Sequence, residues 1–259
     1  MELGLTGKTA LITGSHRGTG AGIARVLAHE GARVLVHGFE PGQPDDVVAG
    51  IEAAGGAATP LIADLLDDDA TTALEHLAGT VDIVVNNYGT PVGSHWAAMD
   101  HWAEEWNRNV LVGVRVAQVF IPGMRERGWG RLVFLGTLGA RKPGTHNPGY
   151  YAAKAGLHAL VRTLAMELRG TGVTSNVLSP GMIATAEVRE MLTRSAAKRD
   201  IGPEWEAVQR YGLESMMPNL TERIPDPEDI GRVVAFLASE AAWHINGADL
   251  AVDGGALDA

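Results

Sequence analysis

The chain has 259 residues, with 21 Lys and Arg against 31 Asp and Glu, and a net charge of −10 at pH 7. An acidic chain without a basic cluster does not suit nucleic acid, and the absence of cysteine excludes disulfides, thiolate catalysis and Cys-ligated zinc. The 46% hydrophobic content is enough for a large core, while "MELGLTGKTALITG" lacks the pattern of a secretory signal and no run of about 18 apolar residues occurs. A soluble, cytoplasmic protein with no membrane partner is expected.

Along the chain, short apolar runs alternate with helical patterns. Strands are predicted at "TALIT" (9–13), "RVLVH" (33–37), "ATPLIA" (58–63), "DIVVNN" (82–87), "RLVFLG" (131–136), "VTSNVLS" (173–179) and "ADLAVDG" (248–254). Helical stretches fall at 19–30, roughly 100–127, 150–169 and 227–239. Continuously apolar strands separated by helices predict an α/β fold: a doubly wound parallel sheet with helices on both faces, joined by right-handed crossovers. No linker or repeat divides 1–259, so one domain is expected. The stretch 182–225 holds helical patterns and no strand, and reads as a lid over an active site or as a surface elaboration.

The first strand runs into "TGSHRGTGAG", with glycines at Gly14, Gly18 and Gly20. Such a turn lets a pyrophosphate approach the backbone and meet the free N–H groups of the following helix. The spacing is G-x-x-x-G-x-G, and no Gly-Lys-Ser/Thr of a P-loop closes it. A glycine turn, "NNYG" (86–89), Asn109 in "NRNVLVG", "YYAAK" (150–154), "NVLSPG" (176–181) and "VDGG" (252–255) succeed one another across nearly the whole chain. In this order and spacing they resemble the short-chain dehydrogenase/reductase family. The resemblance implies a Rossmann-type domain, a nicotinamide cofactor, hydride transfer at a carbonyl or alcohol carbon, as in a ketoreductase, and a homotetramer or homodimer. It implies no metal and leaves the substrate open.

Two tyrosines precede Lys154, and spacing alone lets either reach it. At about 100° per residue, Tyr150 shares an apolar stripe with Leu157, Val161, Leu164 and Leu168. Tyr151 shares a polar stripe with His158, Arg162 and Arg169. The buried phenol is the better proton donor and acceptor, and the resemblance likewise puts Tyr150 and Lys154 in its Tyr-x-x-x-Lys pair. A free phenol titrates near ~10, and a nearby Lys154 ammonium and the positive nicotinamide ring are expected to lower that value.

The resemblance completes the catalytic set with Thr137, where serine is usual, and Asn109, which keeps a relay water near the lysine. Thr137 retains the hydroxyl while stiffening χ1. It further implies cofactor contacts from Gly14, His16, Arg17, Gly18, Thr19, Gly20, Gly38, Phe39, Asp64, Leu65, Asn87, Gly89, Tyr150, Lys154, Pro180, Gly181 and Ile183. Asp64 is the carboxylate that meets the adenine amino group, or else a helix N-cap. Tyr88 replaces a small residue and puts a ring at the cofactor edge or just behind it. Gly38 ends the second strand where an NAD-binding aspartate would stand, and Arg17 is placed to pair with a 2′-phosphate. Phe39 and Glu40 argue the other way, and the balance favours NADP(H) over NAD(H). Candidate pocket residues are His95, Trp96, Arg141, Lys142, His146, Trp205, Met216 and Met217. A zinc-dependent dehydrogenase is disfavoured by the scattered histidines; a non-catalytic binding protein and a dehydratase or epimerase on the same scaffold stay open.

Overall fold

The structure is a computed structural model and describes residues 2–257. Its strands are β1 (Thr9–Ile12), β2 (Arg33–Gly38), β3 (Ala57–Ile62), β4 (Ile83–Asn86), β5 (Gly130–Leu135), β6 (Val173–Pro180) and β7 (Asp249–Val252). They form one sheet in the order β3-β2-β1-β4-β5-β6-β7. Every pairing is parallel, with Leu11 of β1 opposite Leu35 of β2 and Val84 of β4. All seven predicted strands are present, with no end moved by more than two residues.

The strands read as continuous apolar runs because both faces are covered. Alternate residues serve different cores, as the period of two requires. Ala10, Ile12, Val34, Val36, Ile83 and Val85 join one cluster, and Leu11, Leu35, Val84, Leu132 and Phe134 join the other. The helices are α1 (Gly18–His29), α2 (Asp45–Ala53), α3 (Asp68–Thr72), α4 (Leu74–Ala78), α5 (Met99–Trp106), α6 (Val112–Arg127), α7 (Pro148–Glu167), α8 (Ala186–Ala197), α9 (Trp205–Ser215) and α10 (Pro227–Ala238). Residues of α1, α2 and α10 supply the first cluster, and residues of α4, α6 and α7 supply the second. Local sequence sets their ends. Pro148 occupies the first turn of α7, Asp226 and Asp229 form a reciprocal capping box on α10, and Gly128 closes α6 in the left-handed region at φ 67°.

The helix expected over roughly 100–127 is not continuous. A π-helical turn, Asn107–Leu111, separates α5 from α6, and such turns insert one residue into an otherwise regular helix. Residues 182–225 contain α8 and α9, which share a small apolar cluster of their own around Leu192, Ala196, Val208 and Leu213. Among the described residues no helix is long and apolar enough to cross a membrane.

From β1 the sheet extends one way to β2 and β3 and the other way to β4 through β7. The strand order therefore reverses between β1 and β4, which opens a crevice at the carboxyl ends of the strands. The loops that follow β1, β4, β5 and β6 all emerge there.

Candidate active site

The loop after β1 is shaped by glycine and by a buried histidine. Gly14 and Gly18 adopt φ of 62° and 56°, a region that glycine enters without penalty. A Cβ on Gly20 would fall 2.6 Å from Asn87 Nδ2 and 2.7 Å from the Gly14 carbonyl, so no other residue fits. His37 of β2 is fully buried; its Nδ1 accepts the Gly14 N–H at 2.9 Å, and its Nε2 lies 3.0 Å from the Ala63 carbonyl. The first contact makes Nδ1 the acceptor, so Nε2 carries the proton. Ser15 Oγ accepts the His37 N–H, and the Ser15 and His16 N–H groups donate to the His37 carbonyl. Burial pushes the His37 imidazole down to about 4. In the sequence this brace shows only as a lone histidine inside an apolar strand.

At the catalytic end, Thr137, Tyr150 and Lys154 line one cavity of about 440 Å³ together with Thr19, Asn87 and Gly89. Pro180, Gly181 and Ile183 after β6 close the same cavity, joined by Met182, Thr185 and Val188. A larger cavity of about 750 Å³ lies at the other end of β5 and β6, around Trp129, Arg131 and Glu240, and contains none of the motif residues.

α7 carries Lys154 into the interior, where its Nζ donates to the Leu135 carbonyl at 2.8 Å. Burial lowers the ammonium to about 8, partly offset by the charge of Glu105. The expected lowering of Tyr150 is not found. Burial raises the phenol to about 12, the charges of Tyr151 and Glu105 act the same way, and a hydrogen bond with the Thr137 side chain only partly opposes them. Lys154 Nζ donates to the Leu135 carbonyl and stands 5.9 Å from the Tyr150 ring centroid.

The helical-face argument separates the tyrosines, with one correction. Ala153, Lys154, Leu157, Val161 and Leu168 are buried on the Tyr150 side of α7. Tyr151 does not simply join a polar stripe: a Cβ on Gly139 would fall 2.3 Å from its ring, so that ring covers the turn after Thr137. Thr137 has a second duty there, since its Oγ1 accepts the Gly139 N–H at 3.2 Å and caps the turn.

Asn109 sits in the π-helical turn, beside acidic Glu105 rather than in wholly apolar surroundings. Its Nδ2 donates to the Glu105 carbonyl at 3.0 Å and to Glu105 Oε2 at 2.9 Å. Its Oδ1 is buried without a protein partner. A Cβ on Gly89 would fall 2.6 Å from that oxygen and 3.0 Å from Lys154 Nζ, so the amide oxygen and the ammonium face the same space.

The remaining expectations fall at the far side of the crevice or outside it. Gly38 is buried against Gln43 and Pro44; Gln43 Oε1 accepts the Phe39 and Glu40 N–H groups. The Tyr88 ring stands 4.9 Å from Phe39, and its hydroxyl lies 3.5 Å from Arg108 Nη1, so the bulky ring has a packed place behind the glycine loop. Asp64 is exposed and accepts the Leu66 N–H in a local turn. The helix cap that Asp64 was weighed for is provided by Asp67 instead. Leu65 is wholly buried in the core. Arg17 pairs with Glu187 of α8 at 3.3 Å, both side chains being more than half exposed. His16 keeps a buried Nδ1 without a protein partner.

Several pocket candidates point elsewhere. Arg141 is held by Asp249, and Lys142 donates to the Ala256 carbonyl. Trp96 is 81% exposed and packs on Trp102, with His95 also exposed beside it. Trp205 joins the small cluster of α8 and α9 under the Arg189 guanidinium, Met216 is exposed, Met217 is half-buried, and His146 is exposed in its loop. None of them lines the catalytic cavity.

The glycine loop, with its close approach at Gly20 and the unpartnered His16 Nδ1, and Gly89 in the loop after β4 leave open backbone where a dinucleotide binds, so the residues present fit a nicotinamide cofactor.

Comparison with known proteins agrees. The family described as Enoyl-(Acyl carrier protein) reductase matches residues 14–256. The D-beta-hydroxybutyrate dehydrogenase of Cupriavidus necator is 33% identical over 97% of this chain and 98% of its own. The L-sorbose reductase of Gluconobacter frateurii, solved with NADPH and L-sorbose, superposes with a TM-score of 0.89 at 28% identity over the whole of both chains. A 7α-hydroxysteroid dehydrogenase solved with NADH and 7-oxo glycochenodeoxycholic acid gives 0.81 at 30% identity, over 98% of this chain and 96% of that one. Matched along nearly its whole length by this family model and by these relatives, the chain belongs to the short-chain dehydrogenase/reductase family and is a nicotinamide-dependent oxidoreductase of alcohol and carbonyl groups.

Proposed function

We propose that Tyr150 is the acid and base of this oxidoreductase, with Thr137, Lys154 and Asn109 as its partners. The observation that carries this is the meeting of the Tyr150 phenol, the Thr137 hydroxyl and the Lys154 ammonium in one cavity. In reduction Tyr150 gives its proton to the carbonyl oxygen; in oxidation it takes the alcohol proton. Thr137 Oγ1 orients the substrate oxygen beside the phenol. Lys154 holds positive charge behind it and reaches the cofactor ribose, while Asn109 Oδ1 holds the relay water near the ammonium. The nicotinamide, when bound, supplies or accepts the hydride.

The substrate we propose is a small ketone or secondary alcohol without a required carboxylate. The cavity of about 440 Å³ has to hold the nicotinamide end and the substrate together, and its walls from Met182, Ile183 and Val188 are apolar. The nearby Arg141 is committed to Asp249 and not to the cavity. The reading takes 1–259 as one Rossmann-type domain in which 182–225 acts as the lid. The first residues of that segment line the cavity, which supports it. A cytoplasmic homotetramer or homodimer completes the reading, by analogy with the family.

NADP(H) is the proposed cofactor over NAD(H). Gly38 offers no carboxylate to a ribose diol, and Arg17 is an exposed cation whose surface ion pair is a weak competitor for a 2′-phosphate. The test is nicotinamide absorbance against a panel of hydroxybutyrate, ketose, acyl-thioester and steroid ketones, with Tyr150→Phe as control. No turnover of any of them, or equal turnover by Tyr150→Phe, would sink the assignment.

A further inference from the structure

One buried carboxylate plays no part in the residue set above. Glu105 of α5 is 0% exposed. Its Oε1 accepts the Val92 N–H at 2.8 Å, and its Oε2 accepts Asn109 Nδ2 at 2.9 Å. Taking an ionised carboxylate out of water is costly unless opposite charge and hydrogen bonds replace the lost solvent. Here the replacements are two neutral donors and the charge of Lys154 on α7.

The geometry gives this carboxylate a use. The Asn109 amide nitrogen finds three acceptors: Glu105 Oε2 at 2.9 Å, the Glu105 carbonyl at 3.0 Å and, farther off, the Thr90 carbonyl at 3.4 Å. A rotation of the amide by half a turn would set Oδ1 against a carboxylate oxygen, two acceptors face to face. The Glu105 carboxylate, the closest of these acceptors, thus acts with the Glu105 and Thr90 carbonyls to leave one orientation, with Oδ1 turned to the space beside Gly89 that it shares with Lys154 Nζ. Through Val92 the same carboxylate anchors the segment after β4, next to Pro91, which lines the catalytic cavity. Ser94 of that segment accepts the Gly149 N–H at 3.0 Å, in the first turn of α7.

We propose that Glu105 is a positioning residue of the active site: its carboxylate locks the Asn109 amide with Oδ1 toward Lys154 and places a compensating negative charge behind the buried ammonium. This rests on the assignment of Tyr150 and Lys154 as the reaction centre. The titratable groups that feel Glu105 from α7 are Lys154, whose ammonium it favours, and Tyr150, whose phenolate it opposes. On the π-helical turn the one charged side chain is Arg108, engaged by Glu104. The segment 90–94 presents no charged side chain.

The test uses the full chain and two variants. Glu105→Gln keeps the shape and removes the charge; Glu105→Asp keeps the charge and shortens the reach to Asn109. Melting and NADPH titration check folding and cofactor binding. The first readout needs no turnover: the Lys154 ammonium is titrated by side-chain NMR, with Lys154→Arg assigning the signal. Lys154 is expected to titrate near about 8 in the parent and at clearly lower pH in Glu105→Gln, while Glu105→Asp stays near the parent. The second readout is the pH profile with whichever ketone the panel turns over. Losing one negative charge lowers the titration of both Lys154 and Tyr150, so both limbs move to lower pH. Turnover falls roughly 10- to 100-fold in either variant as Asn109 loses its fixed orientation. A merely structural residue would scale the rate equally at every pH. An unchanged Lys154 titration together with an unmoved profile in Glu105→Gln overturns the proposal; if that variant does not fold, parent-like turnover in Glu105→Asp does so. An active Tyr150→Phe would overturn the underlying assignment instead, and the NMR titration, being independent of turnover, tells the two failures apart.

Discussion

Tyr150 and Tyr151 stand edge to face with ring centroids 5.6 Å apart, yet they serve different neighbours. The Tyr150 phenol meets Thr137, while the Tyr151 ring covers Gly139 and its hydroxyl lies toward Gly144. Replacing Tyr150 by Phe keeps the packing and deletes the exchangeable proton. Turnover is expected to fall roughly 10²- to 10⁴-fold, with melting temperature and cofactor binding near the parent's. Tyr151→Phe should turn over almost normally, because the ring does the covering. The reverse pattern would mean that the Tyr-x-x-x-Lys register is displaced by one residue.

The parallel sheet was legible because the central strands β1, β2, β4 and β5 are largely apolar runs flanked by turn residues. Tyr150 and Lys154 were legible because a long regular helix carries its faces through the sequence. What stayed hidden depends on tertiary structure. The π-helical turn at Asn107–Leu111 shifts the register inside a stretch whose composition reads as unbroken helix. Glu105 of α5 is buried, though a glutamate on a helix normally reads as a solvated face. Helix α2 lay unread behind "EPGQPDD", whose Pro and Gly signal a loop. Asp64 and Asp67 look alike in "ADLLDDD", and only the backbone geometry makes Asp67 the cap. The fate of Arg141 could not be read either, since its partner Asp249 lies 108 positions away.

Thr137 has two duties that substitution can separate. Thr137→Ser keeps the hydroxyl for both the phenol and the Gly139 N–H, and should retain most activity. Thr137→Val keeps the volume but loses both, so turnover should fall roughly 10²-fold or more. Loss of the cap should also cost about 1 kcal/mol of stability. Kinetics and thermal unfolding of both variants check this. Normal turnover in the valine variant would remove Thr137 from the reaction.

His37 makes the fold sensitive to mild acid. Its imidazole is lowered by burial from 6.5 to about 4, so between those values the unfolded chain binds a proton that the native chain does not. The native state therefore loses stability as pH falls from about 6.5 toward 4. For this one group the loss is about 3 kcal/mol when complete. Only as pH nears about 4 does the native imidazole itself take a proton at Nδ1, which removes the acceptor of the Gly14 N–H and should loosen the glycine loop there. His37→Asn keeps an acceptor and a donor without titrating. Urea unfolding at steps from pH 7 to 4.5 should give a shallower acid slope for the variant than for the parent. Parallel slopes would show that His37 is not responsible.

Arg17 and Glu187 tie the glycine loop to the first turn of α8, next to Gly18, where a Cβ would fall 3.8 Å from the Thr185 methyl. Both charged side chains are well exposed, so the pair itself is weak, on the order of 0.2–1 kcal/mol. A 2′-phosphate carries more charge than the carboxylate and offers more acceptors, and it should take Arg17 from Glu187 when NADPH binds. Glu187→Gln frees the guanidinium beforehand, so NADPH should bind about 1.5- to 5-fold more tightly at low salt, with NADH unchanged. Arg17→Gln should weaken NADPH and leave NADH nearly as it was. Screening should shrink both differences as ionic strength rises. Fluorescence titration of both cofactors against the three proteins at two salt concentrations decides the matter. If Arg17→Gln changes NADPH and NADH equally, Arg17 does not read the 2′-phosphate, and the preference for NADP(H) loses its main support.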